Sequence, residues 1–207
     1  GSEMCIRDRE AVPSRQFDIS KIDFELLSRE FAHTRRKNLL LRDLDELVNQ
    51  QLSKMLFANP QRIDYYDRYQ EIIDAYNAEQ NRATIEKTFM DLMELASSLD
   101  TEQQRYVREG FSSDEELSVY DLLFSENLTK QEIETIKKVS VDLLTKIKQQ
   151  IAKLDHWTDK QETKAIVDNL IRNTLWQELP NSYDVSDIQT YQKKIYEYVY
   201  MRYPEVA

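Results

Sequence analysis

The sequence predicts an all-α fold: an irregular bundle of about seven to nine helices, with no sheet. Glycine occurs only twice and proline four times in 207 residues, whereas hairpins and sheets need many tight turns that these residues build. Apolar residues recur at intervals of three and four, which is typical of one face of a helix. Hydrophobic residues make up 41% of the chain, enough to bury a core.

The first helices are bounded by capping and stop signals. Residues 1–19 are polar and are interpreted as a tag and a linker from a preceding region. A helix is predicted from Ser20, with Asp23 three residues later as its capping partner. A second helix covers about 38–57 and ends at Asn59–Pro60, because proline disfavours a helical residue before it.

Three more helices are predicted before residue 111. Two apolar stripes mark the first two of them: Tyr66, Tyr69, Ile73 and Tyr76, then Ile85, Phe89, Leu92 and Ala96. A short helix at about 101–109 then ends at Gly110, a natural left-handed cap.

Three capping boxes open helices in the second half of the chain. The pairs are Ser112 with Glu115, Thr129 with Glu132, and Thr158 with Gln161. The second box opens the longest predicted helix, about 130–154, and the third opens the helix that follows Trp157. A last helix is predicted at about 187–202, after Leu179–Pro180.

Five apolar side chains are expected in the core: Phe89, Leu143, Ile147, Trp157 and Leu170. Trp157 stands just outside a predicted helix start, where an apolar residue packs against the first turn. The helical domain is predicted to cover 20–203, with a division into two lobes, about 20–110 and 111–203, left open.

The composition argues against several kinds of chemistry. A phosphate-binding loop needs glycines, and Gly110 is the one glycine beyond the first residue. Glu30 and His33 match half of a di-iron motif whose second half is missing. Cys5 lies in the tail without a histidine to activate it. No catalytic, cofactor-binding or metal-binding residue is therefore expected.

Charge, hydropathy and cysteine content indicate the expected cellular location and the kinds of partner. The net charge of −10 opposes binding to a phosphate backbone by the chain as a whole. A single cysteine excludes an internal disulfide and suits a reducing compartment. No apolar run approaches the roughly 20 residues that span a bilayer. We expect a cytoplasmic location and no membrane partner.

Two surfaces are candidates for binding. Arg35, Arg36, Lys37 and Arg42 form the one clear basic cluster and are candidates for contact with DNA or an acidic partner; the alternative is a solvated helix junction. On the last helix Tyr196, Tyr200 and Tyr203 lie roughly a quarter-turn from the predicted buried face. They are candidates for partner docking; the alternative is internal packing.

Four stretches in this order resemble a known family. They are IDFELLSREFAHTRRKNLLLRDLDELV, RIDYYDRYQEIIDAYN, REGFSSDEELSVYDLLF and LDHWTDKQETKAIVDNLIRNTLW. Together they are similar to the C-terminal helical region of the R (restriction and motor) subunit of type I restriction enzymes, over about residues 17–203. The segments that begin at Glu109 and Asp155 carry most of the resemblance.

The resemblance implies a non-catalytic region of a larger enzyme. The parent subunit would be an ATP-dependent type I site-specific deoxyribonuclease, with ATP and Mg bound only outside this chain. The region would dock the remainder of the R subunit onto the methyltransferase and specificity subunits and would touch DNA indirectly or weakly. The alternatives are a DNA-contacting domain that guides the duplex beside the motor, and a structural brace for the motor lobes.

Overall fold

The computed structural model describes residues 22–79 and 81–204 and confirms the all-α prediction. This part of the chain contains nine α-helices and no strand. The helices are α1 (Phe24–His33), α2 (Lys37–Ala58), α3 (Ile63–Ala78), α4 (Arg82–Gln103), α5 (Arg105–Arg108), α6 (Asp114–Leu123), α7 (Lys130–Ile151), α8 (Gln161–Glu178) and α9 (Val185–Arg202). One 3₁₀ turn, Pro60–Arg62, links α2 to α3.

The first helix boundaries follow local hydrogen bonds. Asp23 caps α1 directly, since its carboxylate accepts the N–H of Leu26 at 2.9 Å; the predicted start at Ser20 lies outside the described residues. The short helix predicted at about 101–109 starts later than expected, because α4 continues to Gln103 and only the single turn α5 follows it. Gly110, at φ 84°, then ends that turn.

The α6 N-cap lies one residue later than predicted, and the predicted capping box is wrong. Ser113 is the N-cap, and its hydroxyl accepts the N–H of Glu116 at 3.3 Å. The Glu116 carboxylate accepts the N–H of Ser112 at 2.7 Å. Glu115, the predicted partner, is thus free of the cap and can contact other helices.

The later helix starts divide into one success, one error and one omission. The box of Thr129 and Glu132 opens α7 as predicted. The predicted Thr158 box is wrong, because α8 starts after Lys160, which makes no side-chain cap. An unpredicted box of Asp184 and Asp187 opens α9.

The buried apolar residues form two clusters. The N-terminal core is built from α1 to α4, with Phe31 stacked on Phe89 at 3.6 Å between ring centroids. The C-terminal core begins at Phe111 and is built from α6 to α9 and the turn before α8. The two cores meet near the proposed lobe boundary, although a division into separately folding lobes stays a prediction.

The five expected core residues occupy different depths. Phe89, Leu143 and Ile147 are 0% exposed and Trp157 is 1% exposed. Leu170 is only partly buried and packs at the edge of the C-terminal core, because the inward face of α8 is formed by Val167, Ile171 and Leu175. Within the described residues, each helix is too short or too polar to cross a bilayer.

Candidate docking site

The titratable residues singled out in the sequence lie apart. His33 is exposed at the end of α1, with Glu30 on the same helix, and Cys5 lies outside the described residues. Across the described ranges, no group of three or more His, Cys, Asp or Glu side chains is arranged to hold a metal ion. The two candidate binding surfaces are described next.

The basic cluster divides into one structural lysine and three solvent-facing arginines. The Lys37 ammonium donates to Glu86 Oε1 at 2.7 Å and lies 4.8 Å from the Phe31 ring centroid, so it packs against the N-terminal core. Its hydrogen bond, followed by one from Arg82, lowers the pKa of Glu86. The other three members are exposed: Arg35, Arg36 and Arg42.

Tyr196 and Tyr200 of α9, and Tyr203 directly after the helix, contact Trp157. The rings of Tyr196 and Tyr200 meet the indole edge-on, with centroids 6.2 and 5.7 Å away. The indole N–H donates to the Tyr203 carbonyl oxygen at 2.6 Å, and burial raises the pKa of the Tyr203 phenol. Part of each tyrosine is thus engaged in internal packing, and Tyr200 is the most open of the three at 39% exposed.

A different surface stands out on α8. We call it the α8 outer face: a set of exposed, uncharged residues comprising Ala165, Ile166, Asn169, Asn173, Trp176 and Gln177. Ile166 is 42% exposed and Trp176 is 49% exposed. Arg172 is the one exposed charge on α8 between residues 165 and 177, and it donates to Asn169 Oδ1 at 2.6 Å.

The α8 outer face differs from the solvent-facing sides of other helices. The outward stripe of α3 carries four exposed carboxylates: Asp64, Asp67, Glu71 and Asp74. The exposed side of α9 carries Lys193, Lys194 and Glu197. In protein interfaces the central patch is poor in charge and rich in aromatic residues. Among these three faces, only that of α8 has this composition.

Sequence reasoning missed the α8 outer face because α8 has two apolar faces. Val167, Ile171 and Leu175 face the core, whereas Ile166 and Trp176 project outward. The signal available in the sequence was the near absence of charge from Ala165 to Gln177, where Asp168 and Arg172 are the only charged residues, in a chain with 32% charged residues overall.

Comparison with known proteins gives one family match. A family model described as "Type I restriction enzyme HindI endonuclease subunit-like, C-terminal" matches residues 10–203. No curated protein and no solved structure matches the chain significantly. The match agrees with the resemblance found in the four sequence stretches and covers all of the predicted helical domain, 20–203.

Proposed function

The chain belongs to the type I restriction enzyme HindI endonuclease subunit-like family, as its C-terminal region, and on that premise we propose that it docks the endonuclease subunit onto the methyltransferase–specificity core. The observation that carries the proposal is the α8 outer face. A half-exposed tryptophan among uncharged side chains suits burial against another protein. A phosphate backbone would find almost no positive charge there.

The energetics favour Trp176 as the centre of such a contact. A tryptophan buries about 150–250 Å² when fully covered, so covering the exposed half removes about 100 Å² from water. At about 25 cal/mol per Å² this contributes roughly 2–3 kcal/mol. Tryptophan is also among the residues most enriched at interface positions that dominate binding. The amides of Asn173 and Gln177 can donate and accept hydrogen bonds at its margin.

Tyr196, Tyr200 and Tyr203 are a weaker docking candidate than the α8 outer face. Tyr196 and Tyr203 are half-buried and pack on the C-terminal core. Replacing them would disturb Trp157 as well as any partner contact. Tyr200 stays a candidate for the margin of the same interface.

A second candidate function is contact with DNA through Arg35, Arg36 and Arg42. Their exposure favours it, since phosphate contacts come mostly from accessible basic side chains. Replacing all three by Gln should weaken DNA binding and reduce its salt dependence, with stability unchanged. Equal DNA affinity for the variant and the unmodified chain over a range of salt would reduce the cluster to a solvated junction.

The proposal assigns no chemistry to this region. ATP and Mg would act in the remainder of the parent subunit, and the purified chain should neither hydrolyse ATP nor cut DNA. ATP turnover that copurifies with the chain and disappears when its own Lys or Asp residues are replaced would contradict this assignment.

Co-elution with the methyltransferase–specificity core tests the docking proposal. The unmodified chain should co-elute, and Trp176→Ser should lose most of that binding. Met201→Ser is the matched control, since Met201 is an apolar side chain on α9 with a larger exposed fraction, 70%, and lies outside the α8 outer face. Failure of the unmodified chain to co-elute would sink the docking function. An equal loss of binding in Trp176→Ser and Met201→Ser would contradict only the assignment of the interface to the α8 outer face.

A further inference from the structure

The two apolar cores meet through polar groups. The end of α2, the 3₁₀ turn Pro60–Arg62 and α5 lie on one side of this contact, and α6 lies on the other. The Ser118 hydroxyl of α6 donates to the Ala58 carbonyl oxygen of α2 at 2.9 Å. The contact is therefore built differently from the cores it joins.

Arg62 is the central residue of the contact, and its side chain is 4% exposed. Its Nε donates to Glu102 Oε1 in α4 at 3.0 Å. Its two terminal nitrogens donate to the two Asp114 carboxylate oxygens in the first turn of α6, at 2.6 and 3.0 Å. One guanidinium thus holds a carboxylate from each side of the joint.

Asp121 forms the second tie. Its side chain, 12% exposed, accepts the Asn59 amide at 2.6 Å and pairs with Arg105 of α5. Arg105 Nε also lies 3.2 Å from Glu102 Oε1, which connects this tie to Arg62. Burial raises the pKa of Asp121, although Arg105 and the hydrogen bond from Asn59 act in the opposite direction.

We propose that these contacts form an interlobe latch, defined as Arg62 with Asp114 and Asp121 with Asn59 and Arg105. The latch fixes the angle between the two cores and couples their unfolding. Breaking a buried pair by removing one partner is strongly destabilising, and such pairs demand close geometry. The intact latch therefore holds the two cores in one orientation, and loss of one ion pair releases that orientation. This proposal stands independently of the docking function.

Each side of the latch has its own core, which gives it the means to remain folded after release. The N-terminal core has its own aromatic stack of Phe31 on Phe89, and the C-terminal core has its own anchor in Trp157. Pieces of about 50 residues or more with their own core can fold alone. Loss of the latch should accordingly produce two cooperative units rather than a globally unfolded chain.

Both tryptophans of the chain belong to the C-terminal side, which supplies a clean experiment. Indole fluorescence reports that side alone, whereas far-ultraviolet circular dichroism reports the helices of both sides. In a two-state protein the two probes give coincident unfolding curves. The unmodified chain should show coincident midpoints in urea, and Asp114→Asn should separate them by roughly 0.5 M or more.

Glu178→Gln is the matched control. Glu178 is 29% exposed and accepts from Lys146 at 2.6 Å, and both residues lie on the C-terminal side; Asp114 is 31% exposed and pairs with Arg62 at 2.6 Å. The control should lower both midpoints together. If Asp114→Asn does not fold, Asp121→Asn carries the same test, because it removes the charge that pairs with Arg105 in the second tie. Coincident midpoints in the latch variant, or separate midpoints in the unmodified chain, would overturn the proposal.

Discussion

The two tryptophans occupy opposite environments although one short stretch of sequence carries both. Trp157 is 1% exposed, lies edge-on to two tyrosine rings and donates to a backbone carbonyl. Trp176 is 49% exposed on the α8 outer face. Trp157 therefore stabilises the fold, whereas half of the Trp176 indole remains open to a partner.

Replacing each tryptophan by alanine should give the largest difference in the free energy of unfolding between two variants. Trp157→Ala should lower the free energy of unfolding by about 3–5 kcal/mol, because it leaves a cavity and unpairs the Tyr203 carbonyl. Trp176→Ala should change it by about 0.5 kcal/mol or less, as expected at an exposed site. Urea unfolding followed by circular dichroism measures both changes. Equal losses would mean that Trp176 also supports the core.

Loss of a helix cap should have an intermediate effect on the free energy of unfolding. Asp184→Ala removes a cap whose carboxylate accepts the Asp187 N–H at 2.8 Å, and it should cost about 1 kcal/mol. Thr158→Ala should lower the free energy of unfolding by less, because Thr158 makes no cap. Its hydroxyl makes only a long hydrogen bond, 3.4 Å, to the Pro204 carbonyl oxygen. A Thr158 variant as unstable as the Asp184 variant would restore the predicted capping box.

Acid should lower the stability of the C-terminal core through protonation of Glu115. Burial alone would raise the pKa of Glu115, but the hydrogen bond and charge of Lys148, with the charge of Arg202, lower it. A carboxyl whose pKa is lowered by folding stabilises the fold above its ordinary pKa, and that stability is lost as pH falls through the folded value.

Glu115→Gln tests this pH dependence. The variant should lose less stability than the unmodified chain between pH 6 and about pH 3, while being less stable at neutral pH. Unfolding midpoints measured across that range give the comparison. Parallel pH profiles for the two proteins would show that Glu115 contributes nothing to the acid sensitivity.

Local sequence signals predicted those features that depend on nearby residues. The box of Thr129 and Glu132 gave the start of α7, and the spacing of Leu143 and Ile147 gave its buried face. The start of α8 was missed because the preceding turn passes through His156 at φ 45°. Thr163 then donates back to the Trp157 carbonyl at 2.7 Å, an arrangement no capping pattern encodes.

Features that depend on distant residues were not predictable. Arg62 meets Glu102 and Asp114 across 40 and 52 positions of sequence, and the charge pattern around Arg62 resembles any solvated helix start. Leu170 was expected in the core because it fits the apolar period of α8. Only the packing of α7 and α9 decides which side of α8 faces inward.

Oxidative footprinting of the complex tests the central claim most directly. Hydroxyl-radical modification of Trp176 and Met201 would be compared by mass spectrometry in the free chain and in the chain bound to the methyltransferase–specificity core. We expect strong protection of Trp176 on binding and little change at Met201, since only Trp176 lies on the α8 outer face. Equal reactivity of Trp176 in the free and the bound chain, in a complex verified by co-elution, would contradict docking through this face.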